Sequence, residues 1–213
     1  MSVIDIPALA GAELLRDPYE HAVLTRSFTD DASARALREE FTAAGFTRHE
    51  RRADTEGGKK YLMHNRTLVA DGTPDPQGVA ELSDTWQRLV GDVLSEEYRA
   101  ALSALTGTGL DDCAVEARMT RYARACWIEP HTDRPDKAVT HLFYFNRAWR
   151  AEWNGDLHVL RGPRLADCAR RVPPLLGTSV VLVRSDHSWH GVPPVAEDCP
   201  EDRLALLVHF VRP

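Results

Sequence analysis

The chain has 213 residues, 43% hydrophobic and 27% charged, which suits one folded domain with a sizeable core and argues against disorder. Its 26 Lys and Arg against 32 Asp and Glu give a net charge of −6, the wrong sign for a protein whose main partner is nucleic acid. The longest apolar runs, such as Leu204 to Val208, fall far short of the roughly 20 residues of a membrane span, and Met1 to Ala10 lacks a basic start and apolar centre, so a cytoplasmic protein is expected.

The first hundred residues carry mainly helical signals. An apolar stretch from Ile4 to Leu15 is ended by Pro18, and Ala22 to Leu24 reads as extended. Asp30 or Asp31 can cap a helix with Ala34, Leu37 and Phe41 at helical spacing, closed by Gly45. The polar segment from Arg48 to Lys60 predicts a mobile loop or a lid. Tyr61 to Val69 predicts a strand, and the apolar stripe between Val79 and Leu105 predicts one or two long helices covering a sheet. After Gly109 the pattern changes to short extended runs at Ala114–Tyr122, Val139–Phe145, Leu157–Leu160, Ser179–Val183 and Leu204–Val211. The expected fold is α+β, a single domain over 1–213 in which 1–110 is a helical and mixed support and 111–213 is a jelly-roll barrel. Cys113, Cys126, Cys168 and Cys199 form no Cys-x-x-Cys pair, so reduced thiols are expected.

Two clusters carry metal chemistry. In Glu129-Pro130-His131-Thr132-Asp133 a His-x-Asp pair on extended backbone puts two ligands on one side of the chain. In His187-Ser188-Trp189-His190-Gly191-Val192 the second histidine is the preferred third ligand, and His187 a neighbour or surface residue. Two imidazoles and a carboxylate leave open positions suited to iron(II) that must also take an oxidisable co-substrate and O₂. Arg203 opens the apolar strand Arg-Leu-Ala-Leu-Leu-Val; a guanidinium there is expensive to bury unless an anion meets it, and its fork matches a carboxylate.

In this order and spacing, His131-Thr132-Asp133, His190-Gly191-Val192 and Arg203 resemble the iron(II)/2-oxoglutarate-dependent oxygenase superfamily, in particular its prolyl-hydroxylase-like branch. Phe143-Tyr144-Phe145-Asn146, Trp149 and Asn154-Gly155-Asp156-Leu157 look like that branch's aromatic-Leu-Asn, Trp and Gly-Gly-x-Leu landmarks, with Asn154 in place of the first Gly. The likeness covers about Ala114 to Pro213. It implies a double-stranded β-helix with N-terminal helices on an outer face, and Fe(II), 2-oxoglutarate and O₂ as cofactor and co-substrates. It also implies iron held by His131, Asp133 and His190, and the C5 carboxylate of 2-oxoglutarate held by Arg203 with Tyr144 and, less directly, Tyr122. Retention of Asp133 implies, by the same likeness, hydroxylation over halogenation, with desaturation or ring closure left open, and release of succinate and CO₂. The substrate expected is an amino-acid side chain, free, peptidyl or carrier-tethered, with Arg121, Arg134 and Trp189 as candidate contacts beside Lys137, Arg124 and the Arg48–Lys60 loop. Two rivals stay open at this point: a cupin-like metal enzyme performing isomerisation or hydrolysis without 2-oxoglutarate, and a non-catalytic jelly roll that senses iron, 2-oxoglutarate or another acid.

Overall fold

A computed structural model describes residues 2–42, 44–52 and 58–213. In chain order its elements are α1 (Ile6–Ala10), β1 (His21–Leu24), α2 (Asp31–Glu39), β2 (Thr47–Arg51), β3 (Tyr61–Ala70), β4 (Thr73–Pro74), α3 (Pro76–Ala80), α4 (Asp84–Leu94) and α5 (Glu96–Thr106). Eight strands follow: β5 (Ala114–Tyr122), β6 (Trp127–His131), β7 (Lys137–Tyr144), β8 (Leu157–Leu160), β9 (Cys168–Val172), β10 (Ser179–Val183), β11 (His190–Val192) and β12 (Arg203–Val211). They join in one sheet in the order β1-β10-β7-β12-β5-β3-β6-β11-β8-β9, with β2 and β4 beside β3. This sheet curls into a double-stranded β-helix.

Period-two alternation divides the strands between two cores. On β12, Leu204, Leu206, Val208 and Phe210 pack outward against α1, α4 and α5, in a cluster that includes the fully buried Trp86 and Tyr98. On the opposite face lie Arg203 and Ala205, and with Leu142, Tyr144, Tyr122, Val159 and Val180 the latter lines the inside of the curl. The helices therefore cover one face of the sheet and leave the other to form a pocket.

Several expectations need correction. The stripe from Val79 to Leu105 is three helices, because Ser83 and Ser95 accept hydrogen bonds from the amides of Trp86 and Tyr98 and start α4 and α5 afresh. The helix capped by Asp30 ends at Glu39, well before Gly45, and Phe41 keeps its helix-like burial by packing edge-on to Trp86. The Ile4–Leu15 stretch is helical only over Ile6–Ala10. Arg48 to Arg51 are not loop but strand, paired with β3 in the register His49↔Met63; the part of the expected lid at 53–57 lies outside the described residues. No helix among the described residues is long and apolar enough to cross a membrane.

Two landmark positions explain themselves physically. A Cβ on Gly191 would lie 3.0 Å from the Pro130 nitrogen and 3.2 Å from the Ile128 oxygen, so only glycine lets β11 approach β6 this closely. Asn154 has φ 51 and ψ −152, a region nearly confined to glycine. Asn154→Gly should therefore stabilise the protein by about 1 kcal/mol, strain relief outweighing glycine's added chain entropy. A thermal melt should rise by roughly 2–4 °C; a fall would show that the asparagine side chain makes a compensating contact.

Candidate metal centre and 2-oxoglutarate pocket

His131 closes β6 and His190 opens β11, and the register sets them directly opposite each other, with ring centroids 4.3 Å apart. Each Nδ1 lies against a backbone carbonyl two residues back, Glu129 O at 2.8 Å and Ser188 O at 2.9 Å. A carbonyl only accepts, so Nδ1 carries the hydrogen and Nε2 keeps its lone pair. The two Nε2 atoms face Asp133, at 3.9 Å from Oδ1 and 4.0 Å from Oδ2. All three residues are buried, and their ligand atoms lie within 4.8 Å of one another. Burial, with the neighbouring cations, holds His131 well below its ordinary pKa, and burial lowers His190 too. Burial alone would raise Asp133, yet the basic groups around it, His190 in its protonated form, Lys137, His209 and His131, together outweigh burial and hold the carboxyl well below the usual range, so it is ionised when the rings are neutral. Two neutral imidazoles and an ionised carboxylate are the donor set a borderline divalent ion takes, with other coordination positions left for co-substrate.

Behind Asp133 runs a chain of hydrogen bonds. Thr140 Oγ1 donates to Asp133 Oδ2 at 2.7 Å, and Lys137 Nζ donates to Oδ1 at 3.2 Å. His209 Nε2 lies 3.0 Å from Lys137 Nζ and 3.2 Å from an Arg118 terminal nitrogen, and its Nδ1 lies 2.8 Å from Thr140 Oγ1. Lysine and arginine only donate, so Nε2 accepts, and the Nδ1 hydrogen goes to Thr140, whose own hydrogen goes to Asp133. Both carboxylate oxygens are thereby fixed in direction. Such supporting partners are typically worth ten- to a hundredfold in metal affinity. His209→Leu should weaken manganese(II) binding, read by titration calorimetry beside a melt, by about that factor; unchanged affinity in a folded variant would remove His209 from this role.

Arg203 is 1% exposed at the head of β12. Its guanidinium carbon sits 5.1 Å from the Tyr122 ring centroid and 5.0 Å from that of Tyr144, so two aromatic faces stabilise the cation. Its Nε and one terminal nitrogen have no hydrogen-bond partner, nor has the Tyr144 hydroxyl, whereas the Tyr122 hydroxyl reaches only Met63 Sδ at 3.8 Å. Burial pushes both phenols up to about 12 against the pull of Arg203. Buried donors in this state match an anion with several acceptor lone pairs, and a carboxylate fits. Asn146, completely buried, explains the aromatic-Asn landmark: its Oδ1 accepts from the Leu204 amide at 2.9 Å and its Nδ2 donates to the Asp202 carbonyl at 2.8 Å. It thereby clamps the backbone on both sides of Arg203.

The expected substrate contacts fare differently. Arg121 lies on the face of β5 opposite Tyr122, over the Phe46 ring and 3.4 Å from Asp202, so the fold does not bring it to the triad. Arg134 is exposed beside Asp133 and paired with Asp136 at 3.0 Å. Trp189 is half-buried next to His190, and His187 is exposed. Arg124 donates to the Cys199 carbonyl at 3.0 Å, and Lys137 is bound up with Asp133. No motif marks Thr140, His209 or Arg118, although alternation from Tyr144, Arg203 and Tyr122 puts each on the same face as that residue, four, six and four positions away. Nor does a motif mark Tyr19, which lies inside the curl with its hydroxyl unpartnered and its pKa raised by burial and the Asp133 charge. No strand pattern announces that residue.

A double-stranded β-helix with two histidines and a carboxylate at the mouth of a pocket, and a buried unpaired arginine within it, defines a metal-dependent oxygenase scaffold. Residues 117–211 match the family model of the 2OG-Fe(II) oxygenase superfamily. No curated protein matches the chain by sequence. Among solved structures it resembles a Pseudomonas putida prolyl-4-hydroxylase, with 20% identity, a TM-score of 0.62 and coverage of 98% of this chain and 97% of that one. It also resembles a 2OG-Fe(II) oxygenase family protein from Burkholderia pseudomallei, with 15% identity, TM-score 0.58 and coverage of 98% and 91%. A third likeness is to a prolyl hydroxylase from Trichoplax adhaerens in complex with a hypoxia inducible factor peptide, with 13% identity, TM-score 0.60 and coverage of 98% and 87%. The stretch 117–211 is thus a 2OG-Fe(II) oxygenase domain, and the fold of the chain is prolyl-hydroxylase-like; together they support a 2-oxoglutarate-dependent iron dioxygenase using Fe(II), 2-oxoglutarate and O₂.

Proposed function

We propose that the protein hydroxylates an unactivated C–H bond of an amino-acid side chain, with His131, Asp133 and His190 as the iron ligands and Arg203 and Tyr144 as the anchor of the far carboxylate of 2-oxoglutarate. The observation that carries this reading is the pair of unpaired, buried polar groups of Arg203 and Tyr144 on the concave face whose Thr140, four residues from Tyr144, bonds Asp133. A bare metal sensor gives such an arginine nothing to do, whereas a sensor of 2-oxoglutarate would use it and differs in giving no succinate. Iron(II) with 2-oxoglutarate and O₂ supplies oxidative decarboxylation to succinate and CO₂, coupled to transfer of one oxygen atom into the substrate. The protein's part is to orient the carboxylate of Asp133 through Thr140 and Lys137, to keep both histidines neutral by burial, and to wall off the pocket with apolar strands. In this reading the chain works as one domain over 1–213, its N-terminal helices bracing the barrel.

Anaerobic titration with iron(II) and 2-oxoglutarate should produce the weak visible band of the chelate, and O₂ should then yield succinate in step with a hydroxylated product; succinate without any product from amino acids or peptides would refute the proposed substrate class. Arg203→Lys keeps the charge but loses the planar fork and its stacking between two rings. A lost charge-assisted contact is worth about 1.5–3 kcal/mol, so the KM for 2-oxoglutarate should rise about ten- to a hundredfold while the melt stays close to wild type. An unchanged KM in the folded variant would remove Arg203 from the pocket's anchor.

A further inference from the structure

The concave wall at the metal end of the pocket holds more positive charge than the reaction described so far uses. Lys59 Nζ lies 3.9 Å and Lys137 Nζ 3.2 Å from Asp133 Oδ1. Arg118 reaches the same cluster through His209, has no carboxylate within 4 Å among the described residues, and leaves a buried Nε without a partner. Arg134, the other nearby cation, is exposed and already paired with Asp136. Iron(II) and doubly ionised 2-oxoglutarate cancel each other's charge, so the loaded pocket would still hold Arg203, Lys137 and Arg118, with Lys59 as a fourth basic group that burial lowers to about 7, against the single carboxylate of Asp133. This excess of positive charge in a pocket of restricted solvent calls for a further anion, since an uncompensated buried charge is among the most expensive things a fold can hold.

Position separates this anion from 2-oxoglutarate. On β5 the concave face runs Arg118, Thr120, Tyr122, and Tyr122 is the residue stacked on Arg203. Arg118 therefore lies two side-chain steps away from the co-substrate's anchor, on the wall where β3 adds Met63 and Asn65. The Asn65 Oδ1 is buried and has no donor, an acceptor that an ammonium or amide hydrogen would satisfy. A cationic clamp beside a lone carbonyl oxygen matches the two ends of an α-amino acid.

We propose that Arg118 and Lys59 form a substrate-anchoring subsite for a free carboxylate, with Asn65 accepting from the adjacent amino group, so that the enzyme's substrate is a free α-amino acid and not an internal residue of a peptide. The subsite presupposes the iron and 2-oxoglutarate positions proposed above. Arg118 and Lys59 are the specificity-determining pair; Lys137 remains tied to Asp133.

The test uses the anaerobic Fe(II)·2-oxoglutarate complex at saturation, with the twenty L-α-amino acids, their carboxamides and an end-blocked Gly-Pro-Gly peptide as probes. Binding is read from the shift of the visible band and from the thermal melt. At least one amino acid should bind, with its carboxamide roughly tenfold or more weaker, as expected for loss of a charge-assisted pair. Arg118→Gln should erase that acid-over-amide ratio, and Lys59→Met, which removes only a distant ion pair, should reduce it in a protein of unchanged melt. Amides binding as well as acids, the blocked peptide binding better than any acid, no acid binding at all, or both variants keeping the wild-type ratio would each overturn the subsite. Failure of the wild-type band to form would instead overturn the iron and 2-oxoglutarate reading on which it rests.

Discussion

Asp133→Ala should bind no iron(II) at micromolar concentrations and give no succinate above background, and it should be the least stable of the three ligand variants even without metal. The first half follows from the donor set: with the carboxylate gone, two neutral imidazoles are left among cations that repel a divalent ion. The second half follows from what Asp133 holds together in the metal-free protein. It accepts from Thr140 and Lys137 and faces Lys59, so its removal strands a buried ammonium, a change that costs about 3–5 kcal/mol. His131→Ala and His190→Ala should lose turnover as completely, but each removes a neutral ring whose only fixed protein bond is to a nearby carbonyl, so their metal-free melts should stay much closer to wild type. His187→Ala, at an exposed position, should keep most of its activity. Equal melts for Asp133→Ala and His190→Ala would show that the lysines relax into water and that the carboxylate carries no structural load; an active His190→Ala would refute the ligand assignment itself.

The short-range grammar of the sequence carried much of the barrel. The ranges Ala114–Tyr122, Leu157–Leu160 and Ser179–Val183 are strands end to end, because the first alternates buried with half-buried residues and the other two run largely apolar and buried between turn residues. Besides β2 and the two-residue β4, the strands given no range of their own by the pattern are β6, β9 and β11, three to five residues long, too short for a period to show, although the His-x-Asp pair marked the end of β6 as extended; β9 carries exposed Ala169, Arg170 and Arg171 on an edge. That β11, which carries the proposed ligand His190, gave no strand pattern matters little for the site, since the proposed ligands announce themselves by residue type. The supporting cluster is another matter. His209 on an apolar strand looks like a surface interruption until β12 is laid against β7, where the register His209↔Thr140 puts it beside Asp133. Cross-strand register joins residues some 69 positions apart, and no local pattern in the chain encodes it. Lys59 is the same case from a different element: a charged residue in a polar segment, brought to the triad only because the Glu129 amide bonds to the Lys60 carbonyl.

The metal-free protein should lose stability steeply below about pH 6.5, well before its carboxylates titrate. Burial holds His131 and His209 well below the ordinary value of 6.5 and pulls His141 down to about 3. In the unfolded chain all three regain a pKa near 6.5. Between that value and the lower folded one, the unfolded state binds a proton that the folded state refuses, so stability rises with pH and falls as pH drops through 6.5. Each such histidine contributes about 1.4 kcal/mol per pH unit, and the three together roughly 4 kcal/mol per unit once the pH is below about 6. Against a total stability of about 5–15 kcal/mol for an ordinary domain, two to three pH units suffice to unfold the protein. Asp133 has the opposite timing: its depressed pKa leaves its contribution intact above about 4 and lost only as the pH falls towards its folded value, so it neither causes nor prevents the early decline. Melts of the metal-free protein from pH 8 to 4.5 should therefore be flat above about 7 and fall sharply below 6.5. A metal bound through the Nε2 atoms of His131 and His190 excludes the same protons, so manganese(II) should raise the melt most at neutral pH and progressively less as acid competes for those nitrogens. A melt that stayed flat down to pH 5 would mean that these rings take up protons in the folded state, and hence that they are less enclosed than their packing indicates.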